Sequence, residues 1–436
     1  MAATAARTTT ATARAEPVRV VVTGLGVLTP IGTTVEGFWD AAVRGVVGTG
    51  PLRRADAADF PARLAGEVAG FDAPRAGGDR SLRLATAAAS AAAADAGIPR
   101  WTGDPYRAGV CLGTLLGSRA GLEPAVTAFH RGTEPTAAAY GARRPAPDLT
   151  AAVARDLGFL GPGLAVATAC ASGNSALAHA ADTIRAGRAD VMIAGGVDEL
   201  SSGIMMMFAS LRSLAPDFLR PFDRARAGLV VSEGAAALVL ESYEHARRRG
   251  AHIHAELAGW ASASDAHHMT APHPEGSGAR RSMLRALERA GISPDRVDHV
   301  SAHGTGTPSN DRIEAQALRA VFGPRTPAVT SLKGALGHTQ GAASAIEAVA
   351  CVLALRDGVI PPTANLVDLD PECDVDVVRG AARETPVRVA VNNAFGFGGN
   401  TACTVFTRMD GATRTATRTT SRTATSTATS TAGSAR

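Results

Sequence analysis

Lysine is almost absent from this sequence. The 436 residues include 44 lysines and arginines together, and Lys333 is the only lysine among them. An ammonium differs from a guanidinium because it is a compact point charge with three rotatable donors. The one position that keeps a lysine is therefore a candidate functional residue.

Cysteines are few and widely spaced. The five are Cys111, Cys170, Cys351, Cys373 and Cys403, and no CxxC or other metal-binding spacing occurs. This pattern argues against a disulfide framework and a zinc site, and it fits free thiols in a reducing compartment. We expect a cytoplasmic protein without a metal.

The sequence also lacks long apolar runs, and it has no excess of positive charge outside its two ends. No run reaches 18 uncharged apolar residues, so no membrane span is predicted. The net charge of +4 arises at the two ends, with +1 in residues 1–16 and +3 in residues 409–436. The remainder is near neutral, so we expect no nucleic-acid partner. We predict a disordered extension over 1–17 and a disordered basic tail rich in Thr, Ser and Arg over 409–436.

The sequence TACASGNS, residues 168–175, follows the apolar run Leu164 to Ala167 and leads into an Ala-rich segment. The pattern predicts a strand, a sharp turn and a helix, with Cys170 near the first helical turn. Unpaired backbone N–H groups and the helix dipole favour a thiolate there, so we expect a pKa below about 8.5. By itself the motif fits a buried structural thiol as well as a nucleophile.

The same plan occurs again in the second half. A strand is predicted at Val297 to Ala302, and the small-residue helix Gly341 to Arg356 resembles Ala171 to Arg185. Residues 119–160 are predicted to be a helical excursion. The repetition favours a duplicated α/β architecture with two buried helices meeting in the middle.

Near the N-terminus, the apolar strand that ends at Gly24 continues into Gly24-Leu25-Gly26. Position 29 is Thr, so the third glycine of a dinucleotide-binding motif is missing. We predict a turn beside a core strand, and a nucleotide-binding oxidoreductase is a weak alternative.

Two histidines and a glycine-rich loop complete a constellation of reactive groups. His303 lies in AHGTGTP and His338 in SLKGALGHTQGAA, each after a predicted strand. The loop NAFGFGGN, residues 393–400, is rich in glycine, so its backbone N–H groups can donate to a small ligand atom. Two such histidines beside a cysteine at a helix start favour the nucleophile interpretation.

Together these motifs resemble the elongating β-ketoacyl-[acyl-carrier-protein] synthases, which include ketoacyl synthase II and the ketosynthase subunits of type II polyketide systems. The resemblance covers residues 18–408 and also includes RPFDRARAGLVVSEGAAALVLE and SDAHHMTAP. It implies the thiolase fold, in which each chain has five layers α-β-α-β-α. It also implies that two chains form a dimer. The halves would be residues 18–255, with the nucleophile, and 256–408, with both histidines.

The resemblance also implies a role for each site residue. Cys170 would carry an acyl thioester, and His303 and His338 would stabilise the enolate formed when malonyl-carrier protein loses CO2. Lys333, paired with Glu347, would order the site, and the backbone N–H groups of Cys170 and Phe397 would form an oxyanion hole, with Phe397 also acting as a gate. The residues expected to border substrate are Thr305, Thr307 and Thr270 for pantetheine and Leu116 and Phe208 for the acyl chain.

No bound cofactor is implied, since both substrates are carried on the phosphopantetheine of an acyl carrier protein. The candidates for docking this acidic partner are Arg212, Arg80 and Arg83. The enzyme is expected to form a homodimer, or a heterodimer with a subunit similar to a chain-length factor.

The sequence departs from the family pattern in two places. The glycine-rich loop ends Gly399-Asn400-Thr401, where the family more often has Thr-Asn or His-Asn after the glycines. Met205 to Met207 replace smaller residues, which predicts a reshaped acyl tunnel and a specialised, polyketide-type substrate.

The alternatives are a housekeeping fatty-acid synthase, a thiolase, an initiating ketosynthase and a non-catalytic chain-length partner. A thiolase would need a second cysteine in the loop that holds Phe397. Initiating ketosynthases use Cys-His-Asn, and chain-length partners lack the nucleophile.

Overall fold

The computed structural model describes residues 17–53, 63–71, 80–117, 123, 128, 131–133 and 147–409. The predicted N-terminal extension up to residue 16 and the basic tail from residue 410 lie outside the described residues. Most of the helical excursion predicted at 119–160 does so as well, and its end forms a helix from Pro147.

The strands alternate with helices along most of the chain. The strands are β1 Val20–Leu28, β2 Thr49–Pro51, β3 Leu64–Gly66, β4 Ala108–Gly113, β5 Gly163–Val166, β6 Val191–Asp198, β7 Gly234–Ser242, β8 Ala255–Ser264, β9 His299–Ser301, β10 Ala328–Thr330, β11 Val359–Ile360, β12 Arg383–Glu384, β13 Val389–Gly396 and β14 Asn400–Thr407. The helices are α1 Val35–Val43, α2 Arg80–Asp95, α3 Pro147–Leu157, α4 Ser172–Arg185, α5 Ser202–Ser210, α6 Tyr243–Arg248, α7 Ser277–Ala290, α8 Pro308–Phe322, α9 Lys333–Leu336 and α10 Ala343–Asp357.

Strand order shows the duplication. In the described part of the chain, the large sheet has the order β10-β9-β13-β14-β8-β1-β7-β6-β4-β5. It consists of two five-stranded sheets, β5-β4-β6-β7-β1 and β10-β9-β13-β14-β8, with the same directions at each step. Only two residue pairs, Val21 with Glu256 and Val22 with Ala255, join β1 to β8.

The helices form three layers around the two sheets. Helices α4 and α10 lie between the sheets, and α2 and α3 cover the first sheet. Helix α7 covers the second sheet, and α8 packs beside α7 over the same hydrophobic cluster. This is the five-layered α-β-α-β-α arrangement of the thiolase fold, so the predicted fold class is confirmed. In the described part of the chain, no helix is long and apolar enough to cross a bilayer.

The two central helices meet through small residues. A Cβ on Gly173 of α4 would lie 2.5 Å from the backbone N of Ala345 on α10. The Asn174 backbone N–H donates to Ser344 Oγ at 2.9 Å. Helix α10 is buried from Ala343 to Leu355, which explains why its residues are apolar or small apart from Glu347. The prediction of two buried helices at the centre is confirmed.

One local prediction was wrong. Gly24-Leu25-Gly26 is not a turn, because β1 runs through it to Leu28. The glycines serve packing: a Cβ would lie 2.2 Å from Ala92 O at Gly24 and 2.1 Å from Ala88 O at Gly26. They let the Ala-rich helix α2 approach the strand backbone closely.

Candidate active site

Cys170 lies in a tight turn between β5 and α4. A single 3₁₀ turn covers Ala169–Ala171, and Ala169 has φ +52°, the left-handed region that non-glycine residues seldom adopt. Ser172 braces the turn, since its Oγ accepts from Thr168 N at 2.9 Å and donates to Ala169 O at 2.6 Å. The strained turn presents Cys170 at the head of the buried helix.

The electrostatics of this thiol differ from the expectation. Cys170 is 5% exposed, and burial raises its pKa to about 12, although the Lys333 ammonium acts in the opposite direction. The expected low pKa was therefore wrong for the free site: desolvation outweighs the favourable charges. The resting group is a thiol, and its proton must leave as an acyl group arrives.

A cavity of about 240 Å³ opens on Cys170 and brings many of the predicted residues together. Its predicted members are Cys170, Phe208, Thr270, His303, Thr305, Thr307, His338 and Phe397. The cavity therefore combines the nucleophile of the first half with the two histidines of the second.

His303 and His338 form a close pair within this cavity. Their ring centroids are 5.6 Å apart and their planes are nearly perpendicular. Burial and the Lys333 ammonium hold both pKa values well below the usual 6.5, so both rings are neutral near pH 7. His338 Nδ1 accepts from Gln340 N at 3.1 Å, which places the ring proton on Nε2.

Two buried carboxylates on α8 hold the loop around His303. Glu314 accepts from the backbone N–H groups of His303 and Gly304 at 2.8 and 2.7 Å. Asp311 accepts from Phe222 N and Gly306 N at 2.8 and 3.1 Å. The sequence reasoning missed both, although their i, i+3 spacing after a glycine-rich turn is a usable signal for one helix face.

Lys333 and Glu347 form the ion pair expected from the resemblance. The Nζ to Oε1 distance is 2.5 Å and both side chains are 1% exposed. Burial raises the pKa of Glu347, while the Lys333 ammonium favours its charged form. The lone lysine thus carries a positive charge in the centre of the molecule, close enough to influence Cys170 and both histidines.

The glycine-rich loop packs directly on the nucleophile turn. A Cβ on Gly396 would lie 2.6 Å from Thr168 O and 3.2 Å from Cys170 N. The amide of Phe397, the next residue, therefore lies close to that of Cys170. At the departure from the family pattern, Asn400 Nδ2 donates to Phe397 O at 3.1 Å and closes the loop.

Phe397 packs against an apolar cluster that borders the cavity. Its ring centroid is 5.9 Å from that of Phe208, and the cluster also contains Met205, Met207 and Leu116. Leu116 belongs to this cluster and does not line the open cavity. Met205 and Met207 belong to this cluster, whereas Met206 is 50% exposed on the outer face of α5, so the predicted effect of the methionines on the acyl tunnel rests on the first two.

The threonines expected to contact pantetheine lie along the cavity wall. The hydroxyls of Thr305 and Thr307 are 3.0 Å apart, and Thr270 faces the cavity from the loop after β8. The described residues contain no group of three or more His, Cys, Asp or Glu that could hold a metal ion.

Of the three arginines proposed for docking, Arg80 was assigned wrongly. It is buried, and its guanidinium makes two hydrogen bonds to Glu233, at 2.8 and 2.6 Å. This ion pair joins α2 to Glu233, the residue just before β7, so Arg80 is a core residue. Arg83 is half-buried, whereas Arg212 is exposed and follows Leu211, which lines the cavity mouth.

Comparison with known proteins gives consistent results. Residues 18–246 match the family described as Beta-ketoacyl synthase, N-terminal domain, and residues 254–367 match Beta-ketoacyl synthase, C-terminal domain. The 3-oxoacyl-[acyl-carrier-protein] synthase 2 of Coxiella burnetii is 38% identical over 416 residues, which cover 90% of this chain and 99% of that protein.

Solved structures agree with the sequence comparison. The ishigamide ketosynthase/chain length factor is 37% identical, with a TM-score of 0.85, covering 90% of this chain and 100% of that one. A type II PKS ketosynthase, solved in complex with its acyl-carrier protein and bound to the hexaketide, is 34% identical with a TM-score of 0.85 over 91% and 100%. The chain belongs to the β-ketoacyl synthase family and is a condensing enzyme of the acyltransferase type.

Proposed function

We propose that this chain condenses an acyl group held on Cys170 with a malonyl unit carried by an acyl carrier protein, and releases a 3-oxoacyl thioester and CO2. One observation carries the proposal: Cys170, His303 and His338 converge on a single cavity above the buried Lys333–Glu347 pair. The thiol supplies a covalent acyl carrier, and the neutral imidazoles supply donors for an enolate.

In the first step, Cys170 Sγ attacks the carbonyl carbon of an acyl-pantetheine thioester. The C–S bond to pantetheine breaks, and the thiol proton of Cys170 is replaced by the acyl group while the leaving thiolate gains a proton. The carbonyl oxygen becomes negative in between, and the backbone N–H groups of Cys170 and Phe397 are placed to donate to it. Closeness of Gly396 to Cys170 N supports this pairing.

In the second step, the bond between the malonyl carboxylate and its α-carbon breaks. CO2 leaves, and the electron pair forms an enolate whose oxygen accepts from His338 Nε2–H and from His303. A neutral ring suits this role, because burial and Lys333 disfavour imidazolium. The enolate carbon then attacks the acyl carbonyl, and Cys170 leaves as the thiolate and takes up a proton.

The length of acyl chain that the enzyme accepts would be set by the apolar cluster around Phe208 and Phe397, which would hold that chain. Met205 and Met207 are adaptable in shape and support a specialised, polyketide-type acyl group. The second candidate is ordinary fatty-acid elongation, favoured by the identity to 3-oxoacyl-[acyl-carrier-protein] synthase 2. Efficient extension of ordinary medium-length acyl chains would select the second candidate.

The partners are part of the proposal. An acyl carrier protein is supported by the solved ketosynthase complex, and a chain-length-factor-like subunit by the ishigamide pair. The exposed Arg212 beside the cavity mouth supports docking of an acidic carrier there. Five free cysteines support a reducing, cytosolic location, and no resident cofactor is needed for either step.

Purified protein, incubated with defined acyl-carrier and malonyl-carrier substrates, tests the function by product mass. The expected product is the acyl chain lengthened by two carbons and bearing a 3-oxo group, with an acyl adduct on Cys170 when malonyl carrier is omitted. Hydrolysis without chain extension would overturn the proposal. Intact-mass analysis of the protein purified from its native host distinguishes a homodimer from a heterodimer.

A further inference from the structure

Asp198, at the end of β6, is a buried carboxylate that no part of the mechanism above uses. It is 1% exposed and accepts four hydrogen bonds. Oδ1 accepts from Thr114 Oγ1 at 2.8 Å and Leu116 N at 3.1 Å, and Oδ2 accepts from Leu115 N at 2.8 Å and Gly341 N at 2.7 Å. It therefore links the loop after β4 to the turn that follows His338.

The two segments held by Asp198 lie against each other, since a Cβ on Gly341 would be 2.7 Å from Leu115 N, and they lead to different parts of the site. Leu115 and Leu116 pack in the apolar cluster with Phe208 and Phe397. Gly341 belongs to the same short 3₁₀ turn as Gln340, whose backbone N–H fixes the tautomer of His338. A single carboxylate thus ties the loop on the acyl side of the site to the turn on the histidine side.

The duplication shows what Asp198 replaces. Asp198 pairs with Gly234 at the ends of β6 and β7, and its counterpart Gly396 pairs with Asn400 at the ends of β13 and β14. Gly341 is likewise the counterpart of Cys170, as the middle residue of the turn before a central helix. In the second turn the backbone N–H therefore donates to a carboxylate, whereas at the first turn Gly396 has no side chain and lines the open cavity together with Cys170.

All the partners of Asp198 are donors, so the position requires an acceptor on both oxygens. The Thr114 hydroxyl accepts from Gly117 N at 2.7 Å and must give its proton to Asp198. An asparagine has the same shape but would direct its NH₂ group at two N–H donors or at Thr114 and Leu116 N. Asp198→Asn therefore breaks the link without changing the volume of the side chain.

We propose that Asp198 is a positioning residue for the condensation, which sets the His338 turn against the acyl-pocket loop. The proposal rests on the proposed function, because it concerns the decarboxylating half of that reaction. In this proposal the backbone N–H of Gly341 donates to the Asp198 carboxylate, whereas the corresponding N–H of Cys170 donates to the substrate carbonyl oxygen.

The test compares two partial reactions in Asp198→Asn. CO2 release from malonyl-carrier protein, which uses His338, should fall by about tenfold or more, since small displacements of reacting groups carry losses of that size. Alkylation of Cys170 by iodoacetamide should stay within about twofold of wild type or become faster, because the Asp198 charge raises the thiol pKa. Thr114→Val removes one of the four donors to Asp198. It should show a smaller loss of CO2 release with the same retention of alkylation, and it replaces the asparagine variant if that variant does not fold.

Asp223→Asn is the matched control. Asp223 is 3% exposed and accepts three backbone hydrogen bonds, from Ala225, Val367 and Asp368, but none of these donors belongs to the loop after β4 or to the His338 turn. It should lose a similar amount of thermal stability and keep its rate of CO2 release. Equal losses of CO2 release in the two variants, or a loss of alkylation equal to the loss of CO2 release in Asp198→Asn, would overturn the proposal.

A second measurement separates this proposal from the proposed function. In protein labelled with ¹⁵N-histidine, the ring signals of His338, assigned with His338→Gln, should shift in Asp198→Asn and remain in place in Asp223→Asn. If wild-type protein releases no CO2, the proposed function fails while the ring signals still decide the role of Asp198. Unchanged His338 signals in Asp198→Asn would refute the positioning role.

Discussion

The nucleophile turn, residues 169–172, and its counterpart, residues 340–343, are built alike and used differently. Each opens with a left-handed residue, Ala169 at φ +52° or Gln340 at φ +57°, and each leads through one 3₁₀ turn into a central helix. The middle residue is Cys170 in one and Gly341 in the other. At Gly341 a Cβ would lie 2.6 Å from Asp198 Oδ2, so no side chain fits there.

The difference shows how one backbone unit serves two purposes. Where the neighbouring strand ends in Gly396, that glycine and Cys170 both line the open cavity, so a reactive side chain can meet substrate. Where the strand ends in Asp198, a carboxylate lies beside the turn instead and fixes the position of the histidine loop.

Cys170→Ala should abolish acyl-enzyme formation, because it removes the one atom that accepts the acyl group. The fold should persist, since only a sulfur atom is lost and the counterpart turn holds Gly341. Intact mass after incubation with acyl-carrier protein reads the adduct, and Cys111→Ala, at another buried thiol, is the control. An acylated Cys170→Ala protein would refute the assignment.

Gly396→Ala should lower the rate of acyl transfer by about a hundredfold, because misplacement of about 1 Å at a reacting centre has that effect. The new Cβ would lie 2.6 Å from Thr168 O and make the first turn as crowded as the second. Single-turnover acylation of Cys170 measures it. Gly50→Ala, where nothing lies within 4 Å, should remain normal; near-normal acylation in Gly396→Ala would contradict the comparison.

Lys333→Met should reduce the free energy of unfolding by about 3 kcal/mol, because it leaves the buried Glu347 without its cation. The double variant Lys333→Met with Glu347→Leu should recover much of that stability but not the condensation rate. Denaturant unfolding and product formation are measured in parallel. Recovery of both would show that the ion pair serves the fold alone.

Gly341→Ala should cost about 1–3 kcal/mol of stability, since a methyl group there overpacks Asp198 and the Leu115 backbone N. Thermal unfolding reports the loss, compared with Gly50→Ala. A variant as stable as wild type would mean that the second turn has room for a side chain, and the contrast with Cys170 would fail.

Lowering the pH from 7.5 to 6 should reduce stability by roughly 1 kcal/mol through His303 and His338. Burial and Lys333 hold their folded pKa values below the usual 6.5, so only the unfolded chain takes up protons as the pH falls past that value. The histidine contribution is complete above pH 6.5 and is lost below it. The pH slope of denaturant unfolding should be smaller in His338→Gln, and an equal slope would contradict the assignment.

The sequence pattern was sufficient for most elements near the site. Ala-rich and small-residue segments predicted α4 and α10, and apolar runs predicted β5 and β9, because burial requires those residues at those spacings. Arg80 shows the limit, since an arginine in a first helical turn looks the same whether it faces water or Glu233. Gly24 and Gly26 show it too, because a turn and a close helix contact require the same residue.

By itself the sequence determined the reactive groups and the duplicated plan: Cys170, two histidines set among glycines, one lysine and a glycine-rich loop. These are local chemical facts, carried by residue type and by hydrophobic period. Only the tertiary structure decided the state of the thiol, the burial of Arg80 against Glu233, and the roles of Asp198 and Glu314. Each of those depends on burial and on partners distant in the chain, which spacing along the sequence does not reveal.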